Sequence, residues 1–483
     1  MTPDTPTRIE KDSMGEMHVP AEALYGASTQ RAVLNFPISG RRVPDEIVLA
    51  YAQLKGAAAK VNAALGKLDR SRANAIVAAC RTISEGLHDH GGLAPHFPVD
   101  TFQTGSGTST NMNANEVIAN LVCLSNGAPI GSAKDADYLE NGGVHPNDHV
   151  NMGQSSNDTF PTAMHVAAAQ AIQSKLLPAL DRAATELEGK AKLWDDVIKI
   201  GRTHVQDATP IRLGQEFGGF AAQLRHAEER LHRSLHVLGE LALGGTAVGT
   251  GINTHPEFGA RVAAELTNET GVHFREAANH FEAQHAKDGY VEVSGDLKTI
   301  AVSLSKIVGD IRLMGCGPRC GIGELKIPAI QPGSSIMPGK VNPVICEAVM
   351  MVCCQVIGND AATTMGGLGG VGSILDLNVA MPMMAANLLD SINLLANASQ
   401  VMVDQMLRSL EPDRERCAAL IEGSLAMCTS LVPVIGYDAS AKLAYEAFAS
   451  GKTIRELALE KELLPAERLD ELLEPRSMTE PHA

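Results

Sequence analysis

The feature that most constrains this chain is a set of apolar-periodic stretches too long for one chain of its size to cover. Gly214 to Leu243 keeps a three-to-four spacing through Leu224, Ala227, Leu231, Leu235 and Leu238, the mark of one long amphipathic helix. Phe281 to Met314, Val344 to Ile357 and Val379 to Leu410 repeat the pattern. Thirty helical residues reach about 45 Å. Helices that long, apolar over much of their surface, call for a bundle completed by other subunits. Composition agrees: 45% of residues are hydrophobic but only 4% aromatic. A core of small aliphatics suits packed helices better than strands, and the expected fold class is mainly α.

Changes of texture divide the 483 residues into three segments, about the number expected for this length. Residues 1–152 are mixed but mostly helical, broken by Gly- and Pro-rich turns, with a polar surface excursion from Asn126 to Gly143. Residues 153–411 hold the long helices; Pro161-Thr162 opens a pattern reaching about Leu176, and Pro178 starts another to Lys199. Residues 412–483 carry shorter helices stopped at Gly436 and Gly451.

Lys and Arg number 40 against 56 Asp and Glu, a formal charge of −16 without a basic stripe, which argues against a nucleic-acid partner. A dianionic ligand would have to be held by local donors against that field. No run of about 18 apolar residues stands out, so no membrane span is expected. Met1 to Glu10 lacks the apolar stretch of a secretion signal, and a cytoplasmic protein is expected. The nine cysteines form an odd set without small-domain spacing, read as reduced thiols. Cys316 and Cys320 have no second Cys/His pair at zinc-like spacing, so neither metal nor cofactor is expected.

Four segments are rich in short polar side chains. Thr104 to Asn113 leads into a helix, and its glycines let backbone N–H groups approach an anion. Alone, such a cluster is more often a loop with a helix cap. His145-Pro146-Asn147-Asp148 is followed by Gln154 to Asp158, again offering hydroxyls and an amide at a helix entrance, part of which capping explains. Gly201 to Asp207 contains His204, suited to acid–base work, although a single histidine is more often a packed or surface residue. In Gly333 to Pro343, Ser334, Ser335, Lys340 and Asn342 sit between glycines and prolines that permit a mobile loop. The GxxxxGK[ST] order fails there because Val341 follows Lys340, so it is no phosphate loop.

The Gly333-to-Asn342 stretch resembles the signature loop of the fumarase/aspartase superfamily, and the resemblance runs from Arg31 to Tyr437. Thr203-His204, Gln103 to Thr108 and Gly244 to Gly251 resemble the class II fumarases in particular, although Val205 stands where Leu or Thr is usual. The resemblance implies a three-domain, mainly α fold whose long helices form one central bundle in a homotetramer. Each active site would draw on three subunits. It implies that Ser334 is the base, that His204 handles a proton, and that Glu347 pairs with that histidine. Fumarate or malate carboxylates would be held by Ser106, Gly107 and Thr108, by Ser155, Ser156 and Asn157, and by Thr203, Ser335, Lys340, Val341 and Asn342. His145, Pro146, Asn147 and Asp148 match an accessory anion site. The implied reaction is metal-free, reversible hydration of fumarate to (S)-malate. An aspartate ammonia-lyase is the nearest alternative, disfavoured by His204, and a catalytically silent homologue is another.

Overall fold

Capping chemistry and apolar period together set the principal helices, whose residues are described from 6 to 481 in this computed structural model. In chain order they are α1 Ala27–Asn35, α2 Asp45–Ala64, α3 Arg70–Ser84, α4 Thr108–Ser125, α5 Ser156–Ala171, α6 Leu177–Leu193, α7 Leu213–Leu238, α8 Phe258–Thr270, α9 Asp288–Met314, α10 Val344–Gly367 and α11 Met381–Gln405. The chain forms two compact units. The first comprises Met1–Pro178, Glu229–Thr299 and Cys354–Leu395, and the second Ala179–Glu228, Ile300–Cys353 and Ala396–Ala483.

In the first unit α2 is the central post, packed against α3, α5 and α8. Its buried face runs through Ile47, Tyr51, Leu54, Ala58 and Val61, and the alanines let neighbouring backbones come close. An antiparallel hairpin, β1 Thr7–Asp12 with β2 Gly15–Pro20, precedes it, in register Thr7↔Pro20. Arg8 holds the hairpin to the following turn through the carbonyls of Pro20, Ala21 and Ala23.

In the second unit β3 Ile198–Thr203 pairs with β4 Gln206–Arg212, shifted by a bulge between Ile200 and Arg202. Ile200 joins a core with Ile421, Leu431, Leu443, Ile454 and Leu469 of the C-terminal helices. The hairpin's base is fixed electrostatically. Glu324, fully buried, accepts two bonds from Arg202 at 2.8 and 2.9 Å and lies 3.4 Å from the Lys199 ammonium. A buried carboxylate is tolerable only with such partners.

Several expectations are corrected. Helix α6 stops at Leu193 and Lys199 lies in β3, because Val197, Ile198 and Ile200 are β-branched and Ile198 to Ile200 pair with Pro210 to Arg212. Helix α5 begins at Ser156 rather than Pro161, started by a capping box in which Ser155 and Asp158 satisfy each other's backbone N–H groups. Phe281 to Met314 is two helices, His280–His285 and α9, because the Lys287 ammonium caps the first through the carbonyls of Ala283, Gln284 and Ala286. Helix α7 ends at Leu238, α10 continues to Gly367, and α11 occupies only Met381–Gln405 of its pattern. By length and composition alone α10 is apolar enough to cross a membrane, a test that core helices of soluble proteins also pass, and 33% of its most apolar window is buried within the chain.

Candidate active site

The first unit gathers two of the polar segments around a chain of hydroxyls. Ser106 Oγ lies 2.9 Å from Thr108 Oγ1, which lies 2.7 Å from Ser156 Oγ. Ser156 reaches Asn157 Oδ1 at 3.4 Å. The glycines explain how the α4 entrance approaches α5 so closely. Gly107 has φ +74, and a Cβ there would stand 2.0 Å from the Phe160 ring. At Gly105 a Cβ would stand 1.7 Å from the Val379 carbonyl oxygen. Ser155 caps α5 by accepting from the Asn157 N–H, and the Asn157 amide donates to the Ala247 carbonyl at 2.8 Å. Two helix entrances carrying hydroxyls suit a carboxylate, which helix N-termini attract.

Beneath that surface lies Asp158, fully buried. It accepts from the N–H groups of Ser155 (2.9 Å), Thr246 (2.9 Å) and Gly244 (3.2 Å). Burial pushes its carboxyl up to about 6 against those bonds. Asp158 therefore ties the Gly244-to-Gly251 stretch to the entrance of α5.

His145 caps a π-helical turn, Pro146–Val150. Its Nδ1 accepts from the N–H groups of Asn147 (3.2 Å) and Asp148 (3.1 Å), while the Asp148 carboxylate stands 3.2 Å from the same nitrogen. A nitrogen that accepts two N–H bonds carries no proton. Burial also lowers the His145 pKa, so the Asp148 contact is not an ion pair of a charged histidine. Pro146 is buried; Asn147 and Asp148 are exposed.

The second unit presents the other two segments. Thr203 pairs with Gln206, leaving His204 and Val205 as a two-residue turn with φ +57 and +60. Two positive φ values mark the type I′ hairpin turn, which normally takes Asn-Gly. A β-branched residue at such an angle is strained. Thr203, His204 and Val205 are all exposed.

In the Gly333-to-Pro343 loop, Ser334 Oγ accepts from the backbone N–H groups of Ile336 (3.2 Å) and Met337 (2.9 Å). The Asn342 amide donates to the Gly333 carbonyl, closing the loop at its neck. A Cβ on Gly333 would stand 2.1 Å from the Lys340 carbonyl oxygen, so this closure needs glycine. Ser335, Lys340 and Val341 are exposed. Glu347 is exposed in the first turn of α10, and among the described residues no ion pair joins it to His204 within the chain. No cluster of three or more His, Cys, Asp or Glu able to hold a metal ion occurs among the described residues.

Reading by motif passed over the buried support of the first unit. Lys55, Asn111 and Asn151 lie under the hydroxyl-bearing segments, bonded to one another. The available signal was a lysine at an inward position of an otherwise Ala- and Leu-rich helix.

Comparison with known proteins places this geometry. A family described as Lyase matches residues 15–358, and one described as Fumarase C C-terminus matches residues 427–480. The class II fumarate hydratase of Corynebacterium glutamicum is 52% identical over 96% of this chain and 93% of its own length. Fumarate hydratase 1, mitochondrial, of Arabidopsis thaliana is 49% identical over 99% of this chain and 94% of its own. The crystal structure of recombinant class II fumarase from Schistosoma mansoni superposes with a TM-score of 0.93 at 40% identity, covering 99% of this chain and all of that one. With motifs, fold and near-full-length identity in agreement, the chain belongs to the class II fumarate hydratase family of lyases.

Proposed function

We propose that this protein interconverts fumarate and (S)-malate without a bound metal, as a homotetramer in the cytoplasm. Kinship supports the choice of substrate. The observation that carries the chemistry is the pair of backbone N–H groups on Ser334 Oγ. A neutral serine is a poor base; two N–H donors stabilise its oxyanion, so the hydroxyl can give its own proton to solvent and the oxyanion then take the proton from C3 of malate. The carbanion spreads into an aci-carboxylate, which would be held by Ser106, Thr108, Ser155, Ser156 and Asn157 from one subunit and by Thr203, Ser335, Lys340 and Asn342 from others. Gly107 and Val341 supply backbone in the same stretches.

His204, paired with Glu347 of another subunit, would manage the departing water. At the accessory segment, an anion would have to draw the Asn147 and Asp148 N–H groups away from His145. In the assembled protein we read residues 1–152, 153–411 and 412–483 as three domains.

The test is absorbance in the ultraviolet fumarate band with purified protein and malate, run with aspartate in parallel and after exhaustive chelation. Appearance of fumarate from malate alone, undiminished by chelator, is the expected result. Signal from aspartate only would transfer the reading to an ammonia-lyase, and iron-restored activity would sink the metal-free chemistry.

A further inference from the structure

Lys55 is 0% exposed on α2, whose other inward positions are mostly apolar or small, Asn62 excepted. Its ammonium donates to Asn111 Oδ1 at 2.8 Å and to Asn151 Oδ1 at 2.9 Å, and lies 5.8 Å from the centre of the Tyr51 ring. Each acceptor reaches a different part of the candidate site. Asn111 stands one turn into α4 beyond Thr108, and its Oδ1 also accepts from the Thr159 hydroxyl at 3.2 Å. That hydroxyl lies 2.7 Å from the Ser155 carbonyl, at the entrance of α5. Asn151 ends the turn that His145 caps, takes amide bonds from Asn111 and Asn115 at 3.2 Å each, and donates to the Gln154 carbonyl. The nearby charge is Asp158, itself bonded to Ser155, Gly244 and Thr246.

We propose that Lys55 is a positioning residue for the dicarboxylate site: one buried ammonium fixes the register of the Ser106–Thr108, Ser155–Asn157 and His145–Asp148 segments. This rests on reading those segments as the anion-binding ones. A buried ammonium is a costly way to fill space, since an apolar side chain of similar length would pack without desolvation. What the ammonium adds is direction, holding two amide oxygens on separate segments at fixed distances, which preorganises donors against a developing charge. Burial pushes the Lys55 pKa down to about 7, against the opposing charge of Asp158.

Fold and register separate experimentally. In Lys55→Met, Asn151 Oδ1 keeps two amide donors, while Asn111 Oδ1 keeps the Thr159 hydroxyl, whose single proton it shares with the Ser155 carbonyl. Leu54→Ala, a neighbouring core truncation on α2, is the structural control. The readouts are succinate affinity by titration calorimetry, kcat and KM for malate, and thermal midpoint, all on the full-length protein. Lys55→Met is expected to keep a near-wild-type midpoint while binding succinate at least fivefold more weakly and losing at least tenfold in kcat/KM. Leu54→Ala is expected to lower the midpoint with succinate affinity within twofold of wild type. Wild-type affinity and kcat/KM in folded Lys55→Met would overturn the proposal, as would equal losses in Leu54→Ala. If Lys55→Met does not fold, Asn151→Ala removes an acceptor of the same ammonium and carries the same two outcomes. The wild-type hydration assay judges the activity separately, since succinate binding reads segment register whether or not fumarate reacts. A wild-type protein that binds no succinate overturns both.

Discussion

In the proposed chemistry Ser334 acts as a base with a hydroxyl, and its surroundings decide whether it can. Its oxygen accepts from the Ile336 and Met337 N–H groups inside a loop closed by Asn342 and Gly333. Those donors lower the cost of ionising the hydroxyl and so populate the oxyanion that takes the C3 proton, a contribution to the chemical step rather than to substrate binding. Ser334→Ala is therefore expected to lower kcat by about a hundredfold or more while KM for malate changes little, because Ser335, Lys340 and Asn342 still meet the substrate. Steady-state kinetics on a variant with wild-type circular dichroism and assembly is the check. Near-full kcat at saturating malate would pass the base role to His204. Ser334 was legible in the sequence because it sits in a motif. Gly107 was legible only as permission for close approach; what it permits, the Phe160 ring 2.0 Å from a would-be Cβ, depends on a residue 53 positions away and needed the fold.

At the scale of elements, the hairpin of β3 and β4 is the least regular piece of the candidate site. Its turn places His204 and Val205 at positive φ, where only glycine, asparagine and aspartate are at ease. Strain of this kind costs about 1–3 kcal/mol per residue, and here it aims an imidazole outward from a base locked by Glu324, Arg202 and Lys199. Val205→Gly should release it. After about 0.4–1 kcal/mol lost to the more flexible unfolded chain, roughly 1 kcal/mol of added stability remains. It would appear as a higher urea midpoint at unchanged m-value. A few-fold lower kcat/KM should accompany it, because a relaxed turn holds His204 less firmly. A lower midpoint would show that the Val205 side chain contributes more than its backbone strain costs. This hairpin also marks where sequence reading failed. The long helices announce themselves by local period, whereas Ile198 to Ile200 become a strand only by pairing with Pro210 to Arg212 across a turn that no composition rule favours. The break at Lys287 was hidden similarly, since a lysine capping a helix through three carbonyls looks like any other lysine in the sequence.

For the whole molecule, the helices leave more apolar surface than the chain covers, the imbalance from which a bundle of subunits was first inferred. On α10, Met351, Ile357 and Met365 are 68%, 43% and 52% exposed, and on α9 Val302 is 56% exposed. Apolar exposure along one long helix marks an interface or a membrane-facing surface. The charges favour protein, because α10 carries Glu347 in its first turn and Asp360 within it, the latter bonded to Ser294 and Lys298 of α9. Among the described residues no ion pair joins His204 to Glu347 within the chain, so the proposed assembly would have a second task, that of completing the site. Light scattering of the purified protein is expected to give about four times the 51.0 kDa chain mass. Met351→Glu, which sets a charge on the exposed face of α10, should dissociate the assembly. Because the site is proposed to be shared, activity should fall with the tetramer fraction rather than with loss of helix. Following activity and mass together across a dilution series of this variant distinguishes the two. Active monomers would mean that each chain holds a complete site and that the apolar face of α10 serves some other surface; parallel loss of mass and turnover, with circular dichroism unchanged, is the outcome that shared sites require.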